Sequence, residues 1–186
     1  MIRPTPVRSV LLLLASVAAV AALLGRTART TAAPSPLDGL AFLVGEHAGT
    51  GEHSGGFEYA ESMTAERALS DSVLVLRSRS RMGDRTVFED LRVFTYDVLE
   101  DAIRCRQFCF GWVTTYDVEV DEETGAVTMA ETASEGGKTS KWRYRIEPAA
   151  PAEDGEREGG GFSYVVETTD REGEWSVFTR GTLAEK

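Results

Sequence analysis

The chain has 186 residues, of which 42% are hydrophobic, and its formal net charge is −10. This length is enough for one domain with a sizeable core. Residues 1–33 contain four arginines and no acidic residue, so that 16 basic and 30 acidic residues remain downstream, a net charge of −14. Such a surface repels phosphate backbones and anionic lipid headgroups, which argues against nucleic-acid binding and charge-driven membrane binding.

The N-terminus has the pattern of a secretory signal peptide. Arg3 and Arg8 precede an apolar segment, VLLLLASVAAVAALL at residues 10–24, and a small-residue stretch ends near Ala33. The segment is shorter than the roughly 20 residues of a transmembrane helix. We therefore predict residues 1–33 as a signal peptide, with an uncleaved N-terminal anchor as the alternative. Residues 34–186 are then a secreted or extracytoplasmic domain, which has no membrane contact unless the N-terminal segment is retained.

Downstream of Pro36 the hydrophobic pattern alternates with a period of two, which is typical of β-strands. In KWRYRIE, for example, Trp142, Tyr144 and Ile146 alternate with charged residues. Only residues 37–43 favour a helical turn, placed as a lid or plug before the first strand. Short turn signals separate the predicted strands, which lie near residues 41–53, 56–67, 72–81, 85–97, 102–111, 113–120, 126–133, 139–147, 161–169 and 174–183.

These strands predict an all-β fold. Their spacing of about ten residues, with hairpin-sized loops, is typical of a single antiparallel up-and-down β-barrel. Closure of the barrel also removes the exposed edges that an open sheet must protect. The one long loop, AAPAEDGEREGG at residues 149–160, is acidic and glycine-rich.

The two cysteines of the chain, Cys105 and Cys109, are four positions apart. In a regular strand this spacing corresponds to about 13 Å, whereas a disulfide needs Cα atoms about 4.4–6.8 Å apart. We therefore expect two unbridged thiols on one strand face. A bridge across a bulge or turn is the alternative.

Three segments resemble the calycin-like barrels of the nitrobindin-like group and of related bacterial proteins of unknown function. They are LAFLVGEHAGTGE, RMGDRTVFEDLRVFTYD and a last strand that ends in TRGTL. That family opens with an L-x-G-x-W-x-G-x-G strand, whose glycines match Gly45, Gly49 and Gly51. A later segment of the family ends in Tyr-Asp before a turn, which matches Tyr96 and Asp97. The resemblance covers nearly all of residues 37–184 and implies a ten-stranded barrel with an internal cavity.

The resemblance also implies haem, through a histidine in the last strand. No histidine lies between Trp175 and Lys186, and His47 stands at the tryptophan position of the opening motif. In a regular strand His47 and His53 would be about 20 Å apart, too far to share a metal ion. We therefore predict no metal and no cofactor, with haem as the alternative. His47 is interpreted as a packing residue at the barrel base, and His53 as a solvated residue near a turn.

Arginines lie among aromatic residues on two neighbouring strands. If these faces point inwards, the cavity combines aromatic surface with guanidinium groups, which bind carboxylate or phosphate heads bidentately. If they point outwards, the arginines lie at the rim and stack on neighbouring rings. Both faces of each strand are apolar, so the pattern leaves the orientation open. The candidate ligand-binding residues are Arg92, Arg104, Arg106, Tyr96, Phe108, Trp142, Trp175 and His47.

The sequence favours a binding protein over an enzyme. It has no G-x-S-x-G elbow, and a cysteine–histidine pair would have to meet across the barrel. We therefore predict an exported, non-enzymatic protein that holds a small hydrophobic or amphipathic molecule in its cavity. The alternatives are a haem-binding nitrobindin-like barrel and a structural or interaction barrel with no ligand.

Overall fold

The computed structural model describes residues 35–136, 140–149, 160–170 and 172–186. The predicted signal peptide or anchor and most of the predicted long loop lie outside these residues. Ten antiparallel strands close into one barrel, in the order β1-β10-β9-β8-β7-β6-β5-β4-β3-β2. The all-β, up-and-down barrel that the period of two predicts is confirmed. Within the described ranges, no helix has the length and apolar character needed to cross a bilayer.

The predicted helical turn is a 3₁₀ helix, Asp38–Leu43, directly before the barrel. It shortens the first strand, which begins at Gly45. The fifth strand also ends early, because Phe110 and Gly111 form a turn with φ values of 40° and 87°. The strands are β1 Gly45–His53, β2 Phe57–Ala68, β3 Val73–Met82, β4 Arg85–Asp97, β5 Ala102–Cys109, β6 Trp112–Val120, β7 Val127–Glu135, β8 Trp142–Pro148, β9 Gly161–Thr169 and β10 Trp175–Glu185.

The two ends of the barrel differ, and we call them the base and the mouth. The 3₁₀ helix covers the base, where Leu40 and Leu43 are fully buried in the core. Burying each leucine contributes about 1.5–3 kcal/mol, which holds the helix against the barrel. The mouth is formed by the β1–β2, β3–β4, β5–β6 and β9–β10 turns, and here Phe57 is 57% and Phe110 61% exposed.

A β-bulge in β10 changes which side chains face inwards. The sequence pattern places Trp175, Val177 and Thr179 on one face. The register of β10 against β9 shifts between Val177 and Thr179. As a result Phe178 and Thr179 both face the interior, whereas Trp175 and Val177 are exposed. A bulge inserts one unpaired residue, and alternation on its two sides is therefore out of phase.

Two glycines of the barrel wall lie beneath tyrosine rings. Gly51 on β1 pairs with Gly181 on β10, and it also pairs with Tyr59 on β2. A Cβ atom at Gly51 would lie 2.3 Å from the ring of Tyr59, and one at Gly181 would lie 2.7 Å from the hydroxyl of Tyr164. The absence of side chains at these positions lets both rings lie against the wall of the barrel.

The two cysteines are thiols with buried side chains on the inward face of β5, as the spacing predicts. Gln107 lies between them on the same face. Burial raises the pKa of the Cys105 thiol, with the charge of Arg92 opposing this only in part. Cys105 is therefore a packing residue in its protonated form.

A candidate ligand-binding cavity

The barrel encloses a cavity of about 600 Å³ between the base and the mouth. This volume lies within the range of about 300–1,000 Å³ that is typical of small-molecule sites. Its floor is apolar and includes Leu43, Leu76, Phe162 and Leu183. Aromatic side chains surround the upper part of the cavity: Phe57, Phe88, Phe110, Trp112, Trp142 and Phe178. Polar side chains occupy the wall between these two regions.

An ion pair between neighbouring inward positions of β4 lies in this wall. The Nε atom of Arg92 donates to Asp90 Oδ2 at 2.9 Å, and the side chain of Asp90 has no exposed surface. Ser78 Oγ donates to Asp90 Oδ1 at 2.5 Å, and the amide of Gln107 donates to Oδ2. Asp90 is therefore a fully buried carboxylate with three donors, one of them charged. Such pairing offsets the high free energy of burying a carboxylate.

Two contacts hold the guanidinium of Arg92 in place, one against its flat face and one at its Nε atom. Its central carbon lies 4.6 Å from the centroid of the Tyr144 ring, and its Nε atom is bonded to Asp90. Burial would lower the pKa of Arg92, but the charge of Asp90 outweighs it and the pKa is raised. No hydrogen bond joins either terminal nitrogen to any residue that the structure describes. Arg92 lines the cavity, so these nitrogens are available to a ligand.

Gln107 connects this ion pair to two tyrosines. Its amide nitrogen donates to Asp90 and, at 3.1 Å, to the hydroxyl of Tyr144, while Tyr116 donates to its carbonyl oxygen at 2.8 Å. Both donors and the acceptor of the amide are thus satisfied. The arrangement fixes the side chains of three strands around the buried carboxylate.

A second polar group lies across β3 from the ion pair. Glu61 on β2 is hydrogen-bonded to Tyr164, whose hydroxyl lies 2.8 Å from that of Tyr59. The Tyr59 hydroxyl lies 2.5 Å from Thr179 Oγ1, which donates to the backbone carbonyl of Glu52 at 2.9 Å. These residues form a continuous chain of oxygen atoms along the cavity wall.

The protons in this chain can be counted. Four oxygen–oxygen contacts join the carboxyl of Glu61 to the backbone carbonyl, but the three hydroxyl groups supply only three protons. Tyr164 donates to the carboxyl group of Glu61, and Thr179 donates to the backbone carbonyl of Glu52. Tyr59 therefore donates in only one of its two contacts.

The surroundings of Glu61 favour the neutral form of its carboxyl group more than water does. Burial raises the pKa of Glu61, and the nearby Asp90 carboxylate raises it further. The hydrogen bond with Tyr164 and the charge of Arg92 act in the opposite direction but do not cancel the effect of burial. Burial also raises the pKa values of Tyr59 and Tyr164, which are neutral phenols.

Two of the residues predicted from the sequence to contact a ligand line the cavity. Arg92 lies in the polar wall, and Trp142 lies near the mouth. The Trp142 ring packs edge-on against Phe178, with centroids 4.6 Å apart. For Arg92, whose orientation the sequence left open, the side chain points inwards.

The arginines of β5 face the outside of the barrel instead. Cys105 and Gln107 occupy its inward positions, so Arg104, Arg106 and Phe108 lie on the opposite face. Arg104 pairs with Asp117 on the neighbouring strand, and Arg106 lies 5.7 Å from the Phe108 ring, as the alternative interpretation expects. The structure does not bring these three side chains to the cavity.

Tyr96 and Trp175 lie at opposite ends of the barrel, outside the cavity. Tyr96 lies beyond Phe94, near the base, and its hydroxyl donates to Asp101. Trp175 is 39% exposed near the mouth, where the guanidinium carbon of Arg143 lies 4.4 Å from the centroid of its ring. Tyr96 therefore contacts a loop residue, and Trp175 contacts an arginine outside the cavity.

The two histidines occupy different environments. His47 is buried at the base, 5.2 Å from the ring of Phe162, and neither ring nitrogen has a hydrogen-bond partner within the described ranges. His53 lines the mouth of the cavity, packed 4.4 Å from Phe178. Its Nδ1 atom accepts a hydrogen bond from the backbone N–H of Gly55 at 3.0 Å, so Nε2 carries the proton of the neutral ring.

These residues do not fit the haem that the family resemblance implies. His47 is outside the cavity lining, and the unprotonated nitrogen of His53 is already occupied by Gly55. In the part of the chain that the structure describes, no three metal-ligating side chains cluster together.

The polar residues of the wall other than Arg92 were not singled out from the sequence. Asp90 lies two positions before Arg92 and shares its face, but an acidic residue in so acidic a chain gives no special signal. A usable signal was the tyrosines at alternating positions, Tyr116, Tyr144 and Tyr164. A buried tyrosine hydroxyl usually has a hydrogen-bond partner, so three inward tyrosines indicate buried polar groups nearby.

The fold and this site define the protein as a closed ten-stranded β-barrel with an internal cavity of small-molecule size. Among solved structures, it is similar to the crystal structure of Rv2717c from M. tuberculosis, with a TM-score of 0.56 and 14% sequence identity. The match covers 83% of this chain and 98% of that chain. At this identity the likeness shows the fold alone. No family model and no curated protein sequence matches the chain.

Proposed function

We propose that this protein is an exported, non-enzymatic binding protein of the calycin type, which holds a small hydrophobic or amphipathic molecule in its barrel. The observation that supports this most is the cavity of about 600 Å³, with an apolar floor and an aromatic mouth. A barrel filled with side chains would leave no room for a ligand. Within the cavity, Arg92 and Trp142 are the two proposed contacts that also have sequence support.

The arrangement of the cavity suggests how such a ligand lies. Arg92 lies deep in the cavity, because its strand position pairs with that of Leu76, a residue of the apolar floor. The exposed aromatic residues Phe57 and Phe110 are at the mouth. An amphipathic molecule therefore enters with its polar group first, and its apolar part remains among the aromatic side chains.

Binding of N-phenyl-1-naphthylamine, a neutral apolar fluorophore, tests this function. Its fluorescence should increase on titration with the folded protein. The variant Ser80→Trp places a large side chain in the cavity, since Ser80 is buried and lines it. We expect at least about tenfold weaker binding, since the displaced probe loses much of its apolar burial. Ser62→Trp is the matched control, because Ser62 is exposed on the neighbouring strand.

The haem alternative depends on His53, the histidine that lines the mouth of the cavity. Titration with ferric haem distinguishes it from the proposed function. A shift of the Soret band that is lost in His53→Ala and retained in His47→Ala would favour haem ligation. Weak binding without a histidine-dependent shift would favour an organic ligand.

A further inference from the structure

A cation and an anion compensate each other in the wall of the cavity. Arg92 is the cation of the wall, and Asp90, hydrogen-bonded to it at 2.9 Å, is the anion. The side chains of both are buried, with 11% and 0% of their surface exposed. Each therefore compensates the charge of the other in a buried position.

The acidic and phenolic side chains of the lining add no further positive charge. Glu61 accepts a hydrogen bond from Tyr164, burial raises its pKa, and it adds no positive charge in either protonation state. The lining also contains Tyr116 and Tyr144, which burial keeps as neutral phenols.

The cavity nevertheless presents charged hydrogen-bond donors. Arg92 lines the cavity, and its terminal nitrogens have no acceptor among the described residues. Hydrogen bonds from a guanidinium are charge-assisted, so a ligand that supplies an acceptor is favoured at this point. A second full negative charge is not favoured, because Asp90 already balances the guanidinium.

From this balance we infer that the polar group of the ligand is an uncharged hydrogen-bond acceptor of the carbonyl class, such as an amide, ester or ketone. The inference rests on the proposed function and specifies the chemical class of the ligand. It revises the expectation of a carboxylate or phosphate head. That expectation took the arginine as an unpaired cation, whereas a carboxylate placed beside Arg92 would leave one uncompensated negative charge in the cavity.

A pair of probes with the same chain tests the inference directly. Dodecanamide and dodecanoic acid differ in the charge of the head at neutral pH and share their apolar chain. Each is titrated against the full-length protein loaded with N-phenyl-1-naphthylamine, and displacement gives its dissociation constant. We expect the amide to bind at least about tenfold more tightly than the carboxylate, because only the carboxylate brings an uncompensated charge into the cavity.

The variant Asp90→Asn removes the compensating charge and keeps the shape of the side chain. It should raise the affinity for the carboxylate relative to the amide by about tenfold or more, since Arg92 is then the uncompensated charge. Asp117→Asn is the matched control. It removes the carboxylate partner of an outward arginine, Arg104, and should leave the ratio of the two affinities unchanged.

The outcomes separate the inference from the proposed function. If the fluorophore binds and the wild-type protein prefers the amide, the inference is supported. If the fluorophore binds but the carboxylate is held as tightly as the amide or more tightly, the inference is overturned and the binding function stands. An unchanged affinity ratio in folded Asp90→Asn also overturns it. If the fluorophore and both probes fail to bind, the proposed function itself fails.

Discussion

Substitution of Gly51 by alanine tests the packing that positions the tyrosines of the cavity wall. Its φ is not positive, so alanine brings no backbone strain and only the added Cβ matters. That atom would lie 2.3 Å from the ring of Tyr59. An ordinary carbon–carbon contact of about 3.5 Å therefore requires the ring to move by about 1 Å. The movement separates the Tyr59 hydroxyl from Tyr164 and Thr179, now at 2.8 and 2.5 Å.

The expected cost combines three effects. Each lost hydrogen bond costs about 0.5–1.5 kcal/mol, and overpacking costs about 1–3 kcal/mol. Loss of unfolded-state entropy on replacing glycine offsets about 0.4–1 kcal/mol of this. We therefore expect Gly51→Ala to lower the free energy of unfolding by about 3 kcal/mol.

Chemical denaturation followed by tryptophan fluorescence measures this change. The control is the same substitution in a Tyr59→Ala background, where no ring opposes the added Cβ. There Gly51→Ala should be neutral, or stabilising by up to about 1 kcal/mol. The reasoning is refuted if Gly51→Ala is neutral in the wild-type background, or if it costs the same with and without Tyr59.

Two further predictions concern buried titratable groups. Burial raises the pKa of Glu61 against the opposing effects of Tyr164 and Arg92, and Asp90 raises it further, so the folded protein holds this proton more tightly than the unfolded chain. The free energy of unfolding of the wild type should therefore fall, relative to that of Glu61→Gln, as the pH rises from the ordinary glutamate pKa through the raised pKa of Glu61. If the difference in unfolding free energy between the two proteins stays constant over this pH range, the pKa of Glu61 is not raised. His47→Leu should leave the free energy of unfolding unchanged or raise it by about 1 kcal/mol, because an imidazole buried without hydrogen-bond partners is replaced by an apolar side chain. A lower free energy of unfolding in chemical denaturation would show that the imidazole makes a favourable interaction.

The strands were predictable because their signal is long and local. Ten runs of alternating residues, separated by turn residues, leave few topologies other than a meander. Where both faces of a strand are apolar, the sequence does not indicate which face points into the barrel. On β4, Val87 and Leu91 alternate with Phe88 and Arg92, and the pattern is equally good either way round.

The site was only partly predictable, for reasons that lie in tertiary structure. The bulge between Val177 and Thr179 changes the phase of β10 and moves Trp175 outwards, and its position depends on pairing with β9. Asp90 lies two positions before Arg92 on one strand, but in so acidic a chain this spacing gave no signal of an ion pair. Its meaning became clear only when both side chains were known to be buried together.

The most direct test of the account is the affinity of the wild-type protein for N-phenyl-1-naphthylamine, compared with that of Ser80→Trp and of its control, Ser62→Trp. The account predicts saturable binding by the wild type and the control, and at least about tenfold weaker binding by Ser80→Trp, whose side chain occupies the cavity. Equal affinity of all three folded proteins would place the probe outside the barrel. That result would contradict the claim that the cavity is the binding site.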